Sequence, residues 1–151
     1  MRVAPPSHIV GVFQNAQWAR GGLAALGRDG FSSDSLSIFA QPSDEARALF
    51  DEFLSSAPVV ADIKGVGSVL AAGPLLTTLA GADAALDRGG LTGTMARAGF
   101  QTHDGQIFQM LLARGGVLVG VLSEPRAADE LARLHSYGAG NAAIGAWRGR
   151  V

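Results

Sequence analysis

The chain has 151 residues, enough for one domain that buries roughly two thirds of its unfolded surface. Apolar residues make up 48% and charged ones 17%, and the net charge of −1 gives no electrostatic drive toward nucleic acid or anionic lipid. Cysteine is absent, which excludes disulfides, thiolate metal sites and cysteine nucleophiles.

The N-terminal stretch "MRVAPPSHIVGVF" lacks the apolar run of a signal peptide, so a cytoplasmic location is expected. Ile9–Phe13 reads as a strand. The following "QWARGGLAALGRDG" reads as a helix that carries Leu23 and Leu26 and ends at Gly30. In that helix Trp18, with Gly22 and Leu26, is assigned to the inner face. "SLSIFA" is the next expected strand. A second unit, "VLVGVLSEPRAADELARLHSYGA" from Val117, repeats this plan with Leu131, Leu134 and Gly138, and "NAAIGAW" follows as a strand. Both units share a V-G-V core, Val10-Gly11-Val12 and Val119-Gly120-Val121. Two βαβ halves predict an α+β, ferredoxin-like sheet. Its halves span 8–40 and 116–147 of a single domain, 1–151. Val10, Val12, Leu118, Val121, Leu131 and Leu134 are expected to share one core, with Ile9–Phe13 antiparallel to Val117–Leu122.

Between the halves, 43–115 reads as a Gly/Ala-rich helical insertion. "PSDEARALFDEFLS" forms an amphipathic helix with Ser43 as N-cap, acids in the first turn, and Ala46, Leu49, Phe50, Phe53 and Leu54 inward. "APVVADIK" is a short extended stretch, because Pro58 disfavours helix at Ala57. Then comes "GVGSVLAAGPLLTTLAG", uncharged throughout, with glycines at 65, 67, 73 and 81. Gly73-Pro74 breaks it, so it does not span a membrane. It is expected to form one or two short helices divided at Pro74, which suits a first helical turn. Its small residues suit close packing, either on its own domain or on a second chain. "THDGQIFQMLLARGG" is a further helix that stops at Gly115-Gly116.

The stretch "GVGSVLAAGPLLTTLAG", then "GGLTGTMARAGF", then a helix leading into "ARGGVLVGV", resembles the small bacterial general stress protein family. The resemblance covers 8 to 138, and Gly65–Leu75 is its most specific piece. It implies the strand–helix architecture above and a stress context, and no reaction. His103-Asp104-Gly105 departs from the family, which has acids and alanine there.

Candidate chemistry is sparse. His8, His103 and His135 have no metal-ligand spacing, so neither a metal nor any other cofactor is expected. Gly65-Val66-Gly67 lacks the third glycine of a dinucleotide turn, where Leu70 stands. His103 and Asp104 are the one adjacent pair that could serve as acid and base, although a helix first turn behind a Thr102 cap explains them more simply. The candidate contact residues are therefore Gly65, Gly67, Gly73, Pro74, His103 and Asp104. The leading reading is a non-enzymatic, stress-associated protein that works through self-assembly or a protein partner, most simply as a dimer. A small-molecule-binding module with a pocket between sheet and insertion is the alternative, and an enzyme using His103 and Asp104 stands third.

Overall fold

The computed structural model describes residues 7–28, 33–54, 57–80, 85–94, 102–123 and 146–148. In chain order these form β1 (Ser7–Phe13), α1 (Ala16–Arg28), a 3-10 turn (Ser33–Ser35), β2 (Leu36–Ala40), α2 (Asp44–Phe53), β3 (Val59–Ile63), β4 (Gly67–Ala72), α3 (Pro74–Ala80), α4 (Ala85–Thr94), α5 (Thr102–Ala113), β5 (Val117–Ser123) and β6 (Ala146–Arg148).

The strands make one six-stranded sheet in the order β3-β4-β2-β5-β1-β6, and every neighbouring pair is antiparallel. The two V-G-V strands lie side by side as expected. Gly11 stands opposite Val119 and Gly120 opposite Val10, so each strand's glycine receives the other's valine.

Helices cover both faces. On one, Ala19 and Leu23 of α1 and Ala46, Leu49 and Phe50 of α2 pack on Phe13, Ile38, Val119 and Val121. On the other, Leu75, Leu79, Leu86, Leu91, Phe108 and Leu112 from α3, α4 and α5 pack on Val10, Val12, Phe39, Val69 and Leu118. This double cover explains why the inner strands read as unbroken apolar runs; all five residues of β2 are buried. It also corrects the expectation of one shared core. Val12 pairs with Leu118 and points to the same face, whereas Val121, three residues further along β5, points to the other. Leu131 and Leu134 lie outside the described residues.

The Gly/Ala-rich region departs from its helical expectation. Gly67–Ala72 is β4, an inner strand paired to β2 and β3, and helix begins only at Pro74. A short run such as Val69-Leu70-Ala71-Ala72 has no period that separates a buried strand from a buried helix. Pairing with β2 decides it. The stretch 43–115 is thus not purely helical, because β3 and β4 extend the sheet beyond β2.

Several helix ends follow their sequence signals. Ser43 caps α2, its Oγ accepting from the Ala46 N–H at 3.0 Å. Asn15 does the same for α1, accepting from the Trp18 N–H at 3.0 Å. At the end of α5, Gly115 has φ +95°, and the Gly115 and Gly116 N–H groups donate to Leu112 O and Leu111 O, the double bond pattern of a Schellman stop. Trp18 is a correction. It is 45% exposed, because 100° steps put it on the flank of the stripe formed by Ala19, Gly22 and Leu23.

Candidate functional site

The glycines of the uncharged segment do not gather at one point. Gly65 and Gly67 flank the β3–β4 turn, whereas Gly73 and Pro74 follow the far end of β4, about 20 Å away at ~3.3 Å per strand residue. Each end has its own physics.

At the far end the chain leaves β4 and enters α3 against β2. Gly73 takes φ +110°, and a β-carbon there would lie 2.6 Å from Ser37 Cα, with Leu36 O and Ser37 Oγ closer still. Ser37 itself is fully buried, and its Oγ accepts from the Leu75 N–H at 2.9 Å, capping the first turn of α3 from a neighbouring strand. Gly73, Pro74 and Ser37 therefore form a joint within one chain. The left-handed glycine turns the backbone, Pro74 starts the helix, and Ser37 satisfies an orphan donor.

At the near end, Val66 N–H donates to Ile63 O at 2.9 Å and closes the β3–β4 turn, with Gly65 at φ +84° and Gly67 at φ +102°. Behind the turn sits the side chain of Gln109 on α5. A β-carbon at Gly65 would meet its amide, and one at Gly90, the φ +61° interruption inside α4, would meet Gln109 Oε1 and lie 2.6 Å from Lys64 O. Gln109 Oε1 accepts from Thr92 N–H at 3.3 Å and Thr92 Oγ1 at 3.4 Å. Thr94, also fully buried, donates its hydroxyl to Gly90 O at 2.8 Å. Gln109 thus connects the turn, α4 and α5. Gln109→Leu should lower stability by about 1–2 kcal/mol, since the Thr92 donors lose their acceptor. Urea unfolding of both proteins checks this, and an unchanged midpoint would remove Gln109 from this role.

Sequence reasoning missed Gln109. The signal available was its place four residues after the buried Gly105 and three before the buried Leu112, a polar residue on the apolar side of its helix. His103 and Asp104 lie in the first turn of α5, and their side chains fall outside the described residues. Gly105, next in line, packs against Leu91 O of α4, so the start of α5 is seated on α4.

A cleft of about 420 Å³ lies elsewhere, where β1 and β2 end and α1 and α2 begin. Asn15, Gln17, Gln41, Ser43 and Glu45 supply its polar side chains. Asn15 and Ser43 are engaged as caps, and Gln41 Nε2 donates to Leu112 O at 3.1 Å and Ala113 O at 2.9 Å. A smaller apolar cleft of about 270 Å³ separates α1 from α2 beside the exposed Arg20–Glu52 ion pair. Among the described residues, no three His, Asp or Glu side chains come together as a metal site would need. Nor is any described helix long and apolar enough to cross a membrane.

No family model, curated protein or solved structure matches the chain. Functional inference therefore rests on its own residues.

Of the exposed large apolar side chains, Trp18 lies on α1 and Met110 on α5, and the two most exposed lie together at one edge of the sheet. Val59 is 53% and Val60 66% exposed on β3, which among the described residues is an edge strand bonded to β4 alone.

Proposed function

We propose that this chain is a non-enzymatic, stress-associated protein of the general stress protein type, and that it works by self-association through its Gly-rich insertion, 43–115. The single observation behind the reading is the pair of exposed valines on β3, an edge strand among the described residues and part of that insertion. A chain with 17% charged residues has few ways to keep such an edge solvated alone. Three polar residues of the 420 Å³ cleft, Asn15, Ser43 and Gln41, by contrast, already serve as caps and ties, which favours a contact protein over a catalyst. The family reading leans on the Gly65–Leu75 motif.

The ferredoxin-like plan belongs to the same proposal. That plan sets its first strand between the fourth and the third, with the second beyond the third. What supports this reading is the run β6-β1-β5-β2 in the sheet, with α1 packed on one face between β1 and β2 in the chain. The β3–β4 hairpin is then an addition at the β2 edge, and it carries the exposed strand outward.

Native mass spectrometry of freshly purified protein tests the functional reading. The expected spectrum shows twice the chain mass with no retained small molecule. A chain that stays monomeric at high micromolar concentration would defeat self-association. A monomer carrying a bound small molecule would instead favour the ligand-binding alternative.

A further inference from the structure

The backbone of β3 specifies how a second copy can dock. Ile63 O accepts from Val66 N–H, so the backbone groups of Ile63 point inward, toward β4. Alternation along an antiparallel strand then turns those of Asp62 and Val60 outward. Lys64, next in the outward series, donates its N–H to Leu86 O of α4 at 3.1 Å, which closes that end of the edge. At the other end Pro58 has no N–H to offer. Among the described residues the open stretch is thus short and bounded, with Val60 at its middle and the outward groups of Val60 and Asp62 as its donors and acceptors.

Resting on the self-association reading above, we propose that two copies pair β3 to β3 antiparallel about a two-fold axis through Val60, joining their sheets edge to edge. In this register Val60 faces Val60 of the other copy and exchanges both backbone hydrogen bonds with it. Val59 lies opposite Ala61 on the other face of the sheet, and Asp62 donates its N–H to Pro58 O. The charges select this register. Centring on Asp62 would set two carboxylates face to face and would call on the Lys64 N–H already given to α4. Centring on Ala61 would place each Asp62 carboxylate against an exposed Val60. With Val60 on the axis, the two Asp62 side chains lie at opposite ends of the junction, and each keeps its bond from Ser68 Oγ at 2.7 Å. The most exposed apolar side chain of the edge is then the one covered twice, by symmetry.

The absence of cysteine makes the register directly readable. Single variants Val59→Cys, Val60→Cys and Ala61→Cys, each in the full chain, are oxidised mildly and run on a non-reducing gel. Residues directly opposite across an antiparallel pair have Cα atoms about 4.5–5.5 Å apart, within disulfide reach, while the diagonal positions at ~7–8 Å fall outside it. Val60→Cys should give the covalent dimer, and Val59→Cys and Ala61→Cys should not. Val60→Lys should run as a monomer by light scattering with the melting temperature of the dilute, dissociated parent, since the side chain is largely exposed in the single chain. If the parent is dimeric but Ala61→Cys cross-links instead, or Val60→Lys stays dimeric, this junction is wrong while self-association stands. If the parent is monomeric, both fall.

Discussion

Replacing Gly73 by alanine should cost the fold about 3 kcal/mol or more, and replacing it by leucine should leave little folded protein. Two penalties combine. A side chain at φ +110° carries backbone strain of about 1–3 kcal/mol, and overpacking adds about 1–3 kcal/mol when the neighbours cannot give way. Here they cannot, because two of them, Leu36 O and Ser37 Cα, are backbone atoms of an inner strand. Gly67 separates the two terms. Its φ is +102°, yet a β-carbon there meets nothing within 4 Å, so Gly67→Ala should lose only the strain. Gly27, on the exposed side of α1 with open space around it, reverses the sign. Alanine there should stabilise by about 0.5–1 kcal/mol, the helix-propensity difference. Urea midpoints should therefore order Gly27→Ala above the parent, then Gly67→Ala, then Gly73→Ala. A Gly73→Ala midpoint equal to that of Gly67→Ala would show that the joint with β2 tolerates a methyl group.

Phe13→Ala should cost about 3–5 kcal/mol, the range for emptying a buried aromatic site. Phe13 is fully buried at the end of β1, and its ring lies under α1 where Gly22 leaves room. A β-carbon at Gly22 would stand 2.8 Å from Phe13 Cε1. Gly22→Ala alone should therefore destabilise by about 1–3 kcal/mol, even though alanine is the better helix former. Combined with Phe13→Leu, which shortens the opposing side chain, the same change should cost less than the sum of the single effects. Side chains in contact couple in this way. Strict additivity in the four-protein cycle would mean that Gly22 and Phe13 do not share the space assigned to them.

How far the sequence reached depends on what each signal encodes. Caps and stops are local chemistry, so Ser43 and Gly115-Gly116 could be placed from neighbouring residues alone. The pairing of β1 with β5 was legible because two similar apolar strands both needed burial. The helices starting at Pro74 and Thr102 were legible, but strand β4 was not. A strand covered on both sides and a short buried helix present the same apolar run, and only pairing with β2 makes Gly67–Ala72 a strand. Trp18 was misplaced because residue type outweighed helical angle. For the candidate site, the glycines were found, but their partners were not. Ser37 and Gln109 lie 36 and 44 residues from Gly73 and Gly65, and no local pattern links them. The β3 edge appeared in the sequence as an ordinary extended stretch, since exposure of Val59 and Val60 follows from β3 being last in the sheet.

In the proposed assembly the glycines act inside the chain, and contact between chains is made by the edge of β3. Amide hydrogen exchange, followed from dilute to concentrated protein, separates the two most directly. Exchange at Val60 and Asp62, whose N–H groups face outward, should slow as concentration rises, while Gly67–Ala72 and the Gly73-Pro74-Leu75 joint should stay as they are. Slowing at the Gly73 joint or in α3, with Val60 and Asp62 unchanged at every concentration, would contradict it.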